Sequence, residues 1–267
     1  MSEFYVDERQ RAKQRRTLKL KIYGAIATFF ILLAGVFYLI VYSPVFQIRS
    51  VIFNNPDGGQ INKDILMESL KKFLADQSRI SSFFGADNIL IWESDKLNGF
   101  LKTQPRLSEL TIEKKILKRE IVLTIKERER FGIWCQLSDD CFWFDKKGVI
   151  FDKAPQTEGE IIYKVKDFSN RELKIGDRAI DELLFGNLLK IFETLDKSGL
   201  GIKTLRLDEM NLEEVISESL LAPKIYFSLR IDPFFGLSVL RLLKNLGLGK
   251  VEYVDLRVEN RGYYKLK

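Results

Sequence analysis

Residues 22–42 read IYGAIATFFILLAGVFYLIVY, and this run decides how the rest of the chain is organised. No charged residue occurs between Lys21 and Arg49. Because an α-helix rises about 1.5 Å per residue, about 20 such residues cross the roughly 30 Å hydrocarbon core of a membrane. A backbone in lipid must satisfy its own hydrogen bonds, which favours a helix. The run therefore predicts a transmembrane helix over 22–42.

Two other interpretations fit this run less well. A signal peptide has an apolar run of about 7–15 residues followed by small residues at a cleavage site, whereas this run is longer and continues into Tyr42-Ser43-Pro44-Val45. A buried core helix that is apolar on every side is unusual in a chain of this size. We therefore prefer an uncleaved anchor.

The charges beside the run predict its orientation. The tail 1–21 holds seven basic and three acidic residues, a net charge of +4 out of the +6 of the whole chain. Basic flanks stay cytoplasmic, so we expect a cytoplasmic N-terminus and an extracytoplasmic segment after about residue 43. The remaining +2 gives no basic footprint of the kind that binds nucleic acid.

Composition also limits the chemistry. The chain has no histidine and two cysteines, which excludes Ser-His-Asp catalysis, His-ligated metals and Cys-rich zinc sites. Paired carboxylates remain open as a hydrolytic device. Asp139 and Asp140 are adjacent carboxylates, but they fall in a predicted hairpin loop, where we interpret them as solvated turn residues. We predict no catalytic residue, no metal site and no cofactor.

Residues 45–127 predict a compact α+β module. The pattern gives a strand over 46–53, a short apolar run over 89–92 and a helix from Ser94 to about Thr103. Asn62 is placed to cap a helix, whose apolar stripe is Ile65, Leu66, Leu70, Phe73 and Leu74. Two alternating strands follow, with Leu110 and Ile112 on one and Ile121, Leu123 and Ile125 on the next. The order is β-α-(β)-α-β-β.

Residues 128–267 predict a mostly antiparallel β domain with flanking helices. In a predicted hairpin over 132–145, Cys135 and Cys141 could face each other, as a structural bridge or as two free thiols. An oxidising compartment would permit a disulfide there, while a redox pair normally needs C-x-x-C. Helices are expected over 181–197 and from Asp232-Pro233 to Leu246. Asp255 and Arg257 share a face of the last long strand, which favours a cross-sheet ion pair or support of the turn over a catalytic role.

Several motifs resemble the FtsQ/DivIB family of bacterial cell-division proteins. They are PVFQIRSVIFN at 44–54, IVLTIKER at 121–128, DKKGVIF at 145–151 and YVDLR at 253–257. Two positions depart from the family pattern: Glu129-Arg130 replaces the usual basic-Pro pair, and the Trp-Pro before the second motif is absent. The resemblance implies that 45–127 is a POTRA domain and that 128–267 is the family's C-terminal β domain.

The resemblance also implies a function. In that family the segment after the D-L-R strand pairs with the small coiled-coil protein FtsB/DivIC, in a complex that includes FtsL. Carried over, the docking strand consists of Arg261, Gly262, Tyr263, Tyr264, Lys265 and Leu266. Helix 235–246 would form a second wall. The implied protein is a non-enzymatic single-pass scaffold of the cytoplasmic membrane at the division septum, with FtsB/DivIC-like and FtsL-like partners and no nucleic acid or small-molecule substrate.

Two functions of other classes stay open. One is an anchored cell-wall hydrolase that uses carboxylates, for which the chain offers no motif. The other is a POTRA-containing envelope assembly or secretion factor, which usually has repeated modules or a barrel. We find one module and no internal repeat.

Overall fold

The computed structural model describes residues 4–55, 58–59, 61–76, 85, 87–138, 140–156, 159 and 161–267. Two compact units make up the chain. The first contains Met1–Asn98 and Leu110–Ile125, and the second contains Gly99–Glu109 and Lys126–Lys267. The segment Gly99–Glu109 thus groups with the second unit, although it lies inside the predicted module 45–127.

A single long helix, α1 (Phe4–Tyr42), joins the basic tail to the apolar run. The tail is helical because residues 4–21 contain no Gly or Pro and are rich in Arg, Lys and Gln, which favour helices. Within α1, the 28 residues Arg15–Tyr42 are long and apolar enough to cross a membrane. At the C-terminal end of α1, the Asn88 side-chain amide donates to the Ile40 carbonyl at 3.2 Å.

A three-stranded sheet and two helices follow α1. The elements are β1 (Ser50–Asn54), α2 (Lys63–Asp76), α3 (Ser94–Thr103), β2 (Leu107–Lys115) and β3 (Glu120–Glu127). The strand order is β1-β3-β2, and β1 runs parallel to β3. The predicted α+β class is confirmed for this part of the chain.

Local patterns predicted these elements well, with three corrections. Asn62 Oδ1 accepts from the backbone N–H groups of Asp64 and Ile65, so the predicted cap is present. Ile65 is 65% exposed and does not belong to the buried stripe, since it lies about 100° around the helix from Leu66. The apolar run over 89–92, bracketed as an optional strand in the predicted order, is a 3₁₀ turn, Ile89–Ile91. Strand β1 begins at Ser50 rather than Phe46, and Phe46 belongs to another 3₁₀ turn, Pro44–Phe46.

The second unit is built on a nine-stranded mixed sheet. Its order is β12-β11-β10-β9-β8-β7-β4-β5-β6. The strands are β4 (Gly132–Gln136), β5 (Cys141–Phe144), β6 (Ile150–Lys153), β7 (Tyr163–Asp167), β8 (Thr204–Leu207), β9 (Glu214–Glu218), β10 (Lys224–Ser228), β11 (Val251–Val258) and β12 (Arg261–Leu266). Five neighbouring pairs are antiparallel and three are parallel, so the predicted domain is less purely antiparallel than expected.

Two helices account for two of the parallel pairs, because parallel neighbours need a crossover connection. Helix α4 (Glu182–Ser198) connects β7 to β8, and α5 (Gly236–Leu246) connects β10 to β11. Asp181 caps α4, and Gly199 ends it at φ 67°. The predicted start at Asp232-Pro233 is a 3₁₀ turn, Pro233–Phe235, that leads into α5. Buried side chains of these helices pack on the sheet: Phe185, Leu188, Ile191, Phe192, Leu195, Leu240 and Leu243.

Candidate binding edge of the large sheet

The two outer strands of the nine-stranded sheet, β6 and β12, differ in what covers them. The segment 176–178 lies along the start of β6. There Gly176 N–H donates to the Ile150 carbonyl at 2.7 Å, and Ile150 N–H donates to the Asp177 carbonyl at 2.9 Å. Arg178 forms a further bridge with Val149. The start of this edge is therefore occupied by the protein's own backbone.

Strand β12 is the other edge, and within the described part of the chain it pairs with β11 alone. The pairing is antiparallel, with Tyr264 opposite Val254 and Tyr263 opposite Asp255. All six residues of β12 are exposed. Because alternate backbone groups of an edge strand face away from its only neighbour, β12 presents a row of donors and acceptors that could receive another strand.

A tight turn places β12 at this edge. Asn260 adopts a left-handed conformation, φ 57°, which asparagine tolerates better than most residues. The Lys265 ammonium and the Glu252 carboxylate form an ion pair at 2.8 Å across β11 and β12. The predicted docking residues Arg261, Gly262, Tyr263, Tyr264, Lys265 and Leu266 are thus consecutive residues of one edge strand.

The two faces of β12 have different surroundings. Tyr264 is opposite the buried Val254 and so lies on the side of α5. Gly262 is on the same side, and a Cβ built there would lie 2.9 Å from Val239 Cγ2 of α5 and 3.1 Å from Leu256 Cδ2. The missing side chain therefore lets α5 approach β12 closely. Tyr263 and Lys265 fall on the opposite, open face of the sheet.

A charge cluster fixes the strands beside this edge. The Arg257 guanidinium contacts Asp255 at 2.6 Å and Glu214 of β9 at 2.9 Å. The hydrogen bonds from Arg257 lower the pKa of Asp255, and those to Asp255 and Glu214 raise the pKa of Arg257. Arg257 also lies 5.1 Å from the centre of the Tyr226 ring. The predicted Asp255–Arg257 ion pair is present, and it extends to a third strand.

Of the two carboxylates considered for hydrolysis, the structure describes Asp140 alone. Asp139 lies outside the described residues. Asp140 is exposed and accepts a hydrogen bond from Ser138 Oγ at 3.0 Å, as in a polar turn. In the part of the chain that the structure describes, no group of three or more His, Cys, Asp or Glu side chains could hold a metal ion.

Cys135 and Cys141 form a disulfide between β4 and β5, with their Cα atoms 4.0 Å apart. The pair joins the two strands of the hairpin near the turn at 137–138. Gln136, next to Cys135, donates from Nε2 to the Leu173 carbonyl at 3.0 Å. The disulfide thus belongs to the framework of the sheet at a distance of several strands from β12.

The sequence analysis did not identify one candidate binding feature, the exposed loop between β9 and β10. The loop between β9 and β10 holds two adjacent leucines, Leu220 and Leu221, that are 102% and 92% exposed. The signal was present in the sequence, since SLLAP at 219–223 combines turn residues with two large apolar side chains.

Comparison with known proteins adds no family. A scan against protein-family models found no match, and a search of curated proteins found none similar enough in sequence to be a relative.

Proposed function

We propose that this chain is a membrane-anchored, non-enzymatic scaffold whose extracytoplasmic part captures a partner by strand addition at β12. The observation that carries the proposal is the difference between the two edges of the large sheet. One edge is covered at its start by the segment 176–178, whereas β12 is exposed along its whole length. Strand addition uses such an edge, with backbone hydrogen bonds for affinity and alternate side chains for specificity.

Three further features support this function. Helix α1 is long and apolar enough to anchor the chain in a membrane, and the basic tail favours a cytoplasmic N-terminus. Three carboxylates on β9 and β11 are held in ion pairs, Asp255 and Glu214 with Arg257 and Glu252 with Lys265. Groups neutralised in this way suit a rigid binding surface better than acid–base catalysis.

The motifs that resemble the FtsQ/DivIB family indicate the biological setting. We infer a bacterial division protein at the septum of the cytoplasmic membrane, which links cytoplasmic division components to septal peptidoglycan synthesis. Its partners would be short bitopic coiled-coil proteins of the FtsB/DivIC and FtsL kinds. The partner segment would lie along β12, with Tyr263 and Tyr264 as aromatic anchors on its two faces.

The experiment uses two proline variants of the full chain, reconstituted in nanodiscs. Backbone groups of adjacent residues in an antiparallel strand point in opposite directions, so one of Tyr263 and Tyr264 directs its N–H towards β11 and the other outwards. We expect the proline variant at the position whose N–H points outwards, Tyr263→Pro or Tyr264→Pro, to stay folded and to lose binding of the FtsB/DivIC-like ectodomain. The other variant should lower the melting temperature, because it removes a β11–β12 hydrogen bond.

Matched Tyr→Ala variants at both positions control for the side chains, because they remove the ring but keep the N–H. The outward-facing proline variant should bind more weakly than the alanine variant at the same position. If both proline variants are folded and bind the partner as tightly as the unmodified chain, strand addition at β12 is wrong.

A further inference from the structure

We propose that the pocket beside the β9–β10 loop is a second binding site for the partner segment that adds to β12. The pocket binds a bulky apolar side chain of that partner segment, and residues next to this side chain in the segment carry carboxylates. The inference rests on the proposed function, because it assigns the chemistry of the same partner. It concerns different residues, however, so the two can fail separately.

The first observation is the exposure of the loop. Leu220 and Leu221 are 102% and 92% exposed, although leucine side chains are usually buried. Single exposed leucines are common on soluble proteins, but an apolar pair beside a concave surface marks an interaction site. The loop has a defined conformation, since Ser219 Oγ accepts from the Leu221 N–H at 3.3 Å.

The second observation is the shape of the surface next to these leucines. A pocket of about 440 Å³ lies between the loop and the start of β11. Sites that hold small ligands typically enclose roughly 300–1,000 Å³, so this one has room for one large side chain and part of its backbone. Its walls include Leu220, Leu221, Ala222, Tyr226, Tyr253 and Lys267.

The third observation is the charge at this end of the sheet. Lys224 and Lys267 line the pocket and Lys250 is adjacent in sequence to it. Among the described residues none of these three ammonium groups forms an ion pair, whereas the neighbouring carboxylates Glu252 and Glu218 are paired with Lys265 and Lys166. The pocket therefore has unneutralised positive charge, and carboxylates on the occupant would complement it.

The fourth observation connects the pocket to β12. Lys267 follows β12 directly, lines the pocket and donates from its backbone N–H to the Lys250 carbonyl at 3.0 Å. A strand added to β12 would lie about 4.8 Å beyond it. A chain that leaves such a strand at this end passes the mouth of the pocket. One extended segment can therefore occupy both places.

Other occupants explain less. A second copy would bring its own unpaired lysines against these lysines across a two-fold axis. A lipid surface would account for the leucines and lysines, but not for a concave site with two tyrosines in its wall. A peptide with an apolar anchor and carboxylates accounts for all of these features.

The test titrates the full chain in nanodiscs with the ectodomain of the FtsB/DivIC-like partner. We expect the double variant Leu220→Ser/Leu221→Ser to raise the Kd at least tenfold, and Lys224→Glu to raise it several fold and flatten its salt dependence. Ile161→Ser is the matched control, because Ile161 is 85% exposed in the same unit and distant in sequence from the pocket. It should leave the Kd unchanged.

Each failure has a distinct pattern. If the folded proline variant of β12 loses binding while the serine variant binds normally, the pocket inference is overturned and the proposed function stands. If neither variant weakens binding, both are wrong. If only the serine variant weakens binding, the partner binds at the pocket without adding a strand to β12, and the inference that one segment occupies both places is wrong. A fluorophore at Ser219→Cys that is quenched by spin-labelled lipid without partner would assign the loop to lipid, and self-association lost in the serine variant would assign it to a second copy.

Discussion

At the scale of single residues, the second unit depends on an arginine that joins distant parts of the chain. Arg128 forms a mostly buried ion pair with Asp145, with side chains 16% and 8% exposed. Its Nε also donates to the Pro105 carbonyl at 2.8 Å. Asp145 Oδ1 in turn accepts from the N–H groups of Lys147 and Val149, which shapes the turn before β6. This contact is one of those that connect the segment Gly99–Glu109 with the rest of the second unit.

Replacing Arg128 should therefore be costly. Arg128→Ala leaves the Asp145 carboxylate buried without its partner, and we expect a loss of about 3–5 kcal/mol in the free energy of unfolding. Arg106→Ala is the control, because Arg106 is 63% exposed in its ion pair with Asp152 and should cost at most about 1 kcal/mol. Denaturant unfolding of the full chain in detergent measures both. Equal effects would show that the buried pair has no special role.

The Asp255–Arg257 pair predicts a dependence of stability on pH. Arg257 lowers the pKa of Asp255 below its usual 3.8, so the stabilisation is present above that pH and is lost as the pH falls through the lowered value. As the pH is lowered below about 4, the wild-type melting temperature should fall more steeply than that of Asp255→Asn. Glu172→Gln, at an exposed carboxylate, should follow the wild type. Parallel curves for wild type and Asp255→Asn would contradict this assignment.

Which residues could be predicted from the sequence depends on how far away their partners are. Asn62 and the helix end at Gly199 were predicted from the sequence because a cap contacts backbone within a few residues of itself. The Arg128–Asp145 contact was not predicted, although each residue belongs to a quoted motif, because only the folded chain brings the two together. The exposed Leu220 was missed because a pattern of apolar residues does not state whether a loop buries them.

At the scale of elements, the arrangement of α5 against β12 depends on a glycine. Position 262 has no space for a side chain, because Val239 and Leu256 lie too close to it. By contrast, Gly186 lies within α4 with nothing within 4 Å of a Cβ built there. These two glycines therefore offer a matched pair of substitutions with opposite expected signs.

Gly262→Val should lower the free energy of unfolding by about 1–3 kcal/mol, since the added methyl groups must displace Val239 or Leu256. Gly186→Ala should raise it by about 0.5–1 kcal/mol, because alanine has a lower entropic cost in a helix interior. Thermal unfolding of the full chain measures both. Stabilisation by Gly262→Val would contradict the close approach of α5 to β12.

The disulfide of the β4–β5 hairpin predicts a second effect at this scale. Cys135 and Cys141 are six residues apart, and closing so small a loop stabilises by about 2 kcal/mol in the chain-entropy model. Cys135→Ser/Cys141→Ser should lose about this amount, and a reductant should destabilise the wild type but not the variant. Partner binding at β12 should be unaffected, because the hairpin lies at the far side of the sheet. An equal response of both proteins to the reductant would exclude the bond.

Individual helices and strands were predictable where a local sequence pattern determines them. The pairing of the strands into sheets was not predictable from such patterns. The alternation of Ile121, Leu123 and Ile125 was confirmed by their complete burial on β3. The 89–92 run received only a bracketed strand in the predicted order, because a short apolar stretch has no period that distinguishes a strand from a turn or helix. The parallel pairing of β10 with β11 was also unforeseen, since it depends on how α5 crosses the sheet.

At the scale of the whole molecule, the proposed function depends on the apolar helix α1 and the exposed edge strand β12. Helix α1 could hold the chain at a membrane, while β12 offers backbone groups for a partner strand. A partner that is itself membrane-anchored would meet this edge at high effective concentration, so modest intrinsic affinity would be sufficient. Such an arrangement agrees with the proposed function as a scaffold that gathers partners.

The most direct test of strand addition is amide hydrogen exchange of the full chain in nanodiscs, with and without the FtsB/DivIC-like ectodomain. We predict that alternate amides within Arg261–Leu266 slow by at least about tenfold when the partner is bound, because their outward N–H groups become hydrogen-bonded. The amides at the start of β6, which the segment 176–178 already occupies, should not change. Saturating binding with unchanged exchange throughout Arg261–Leu266 would contradict the account.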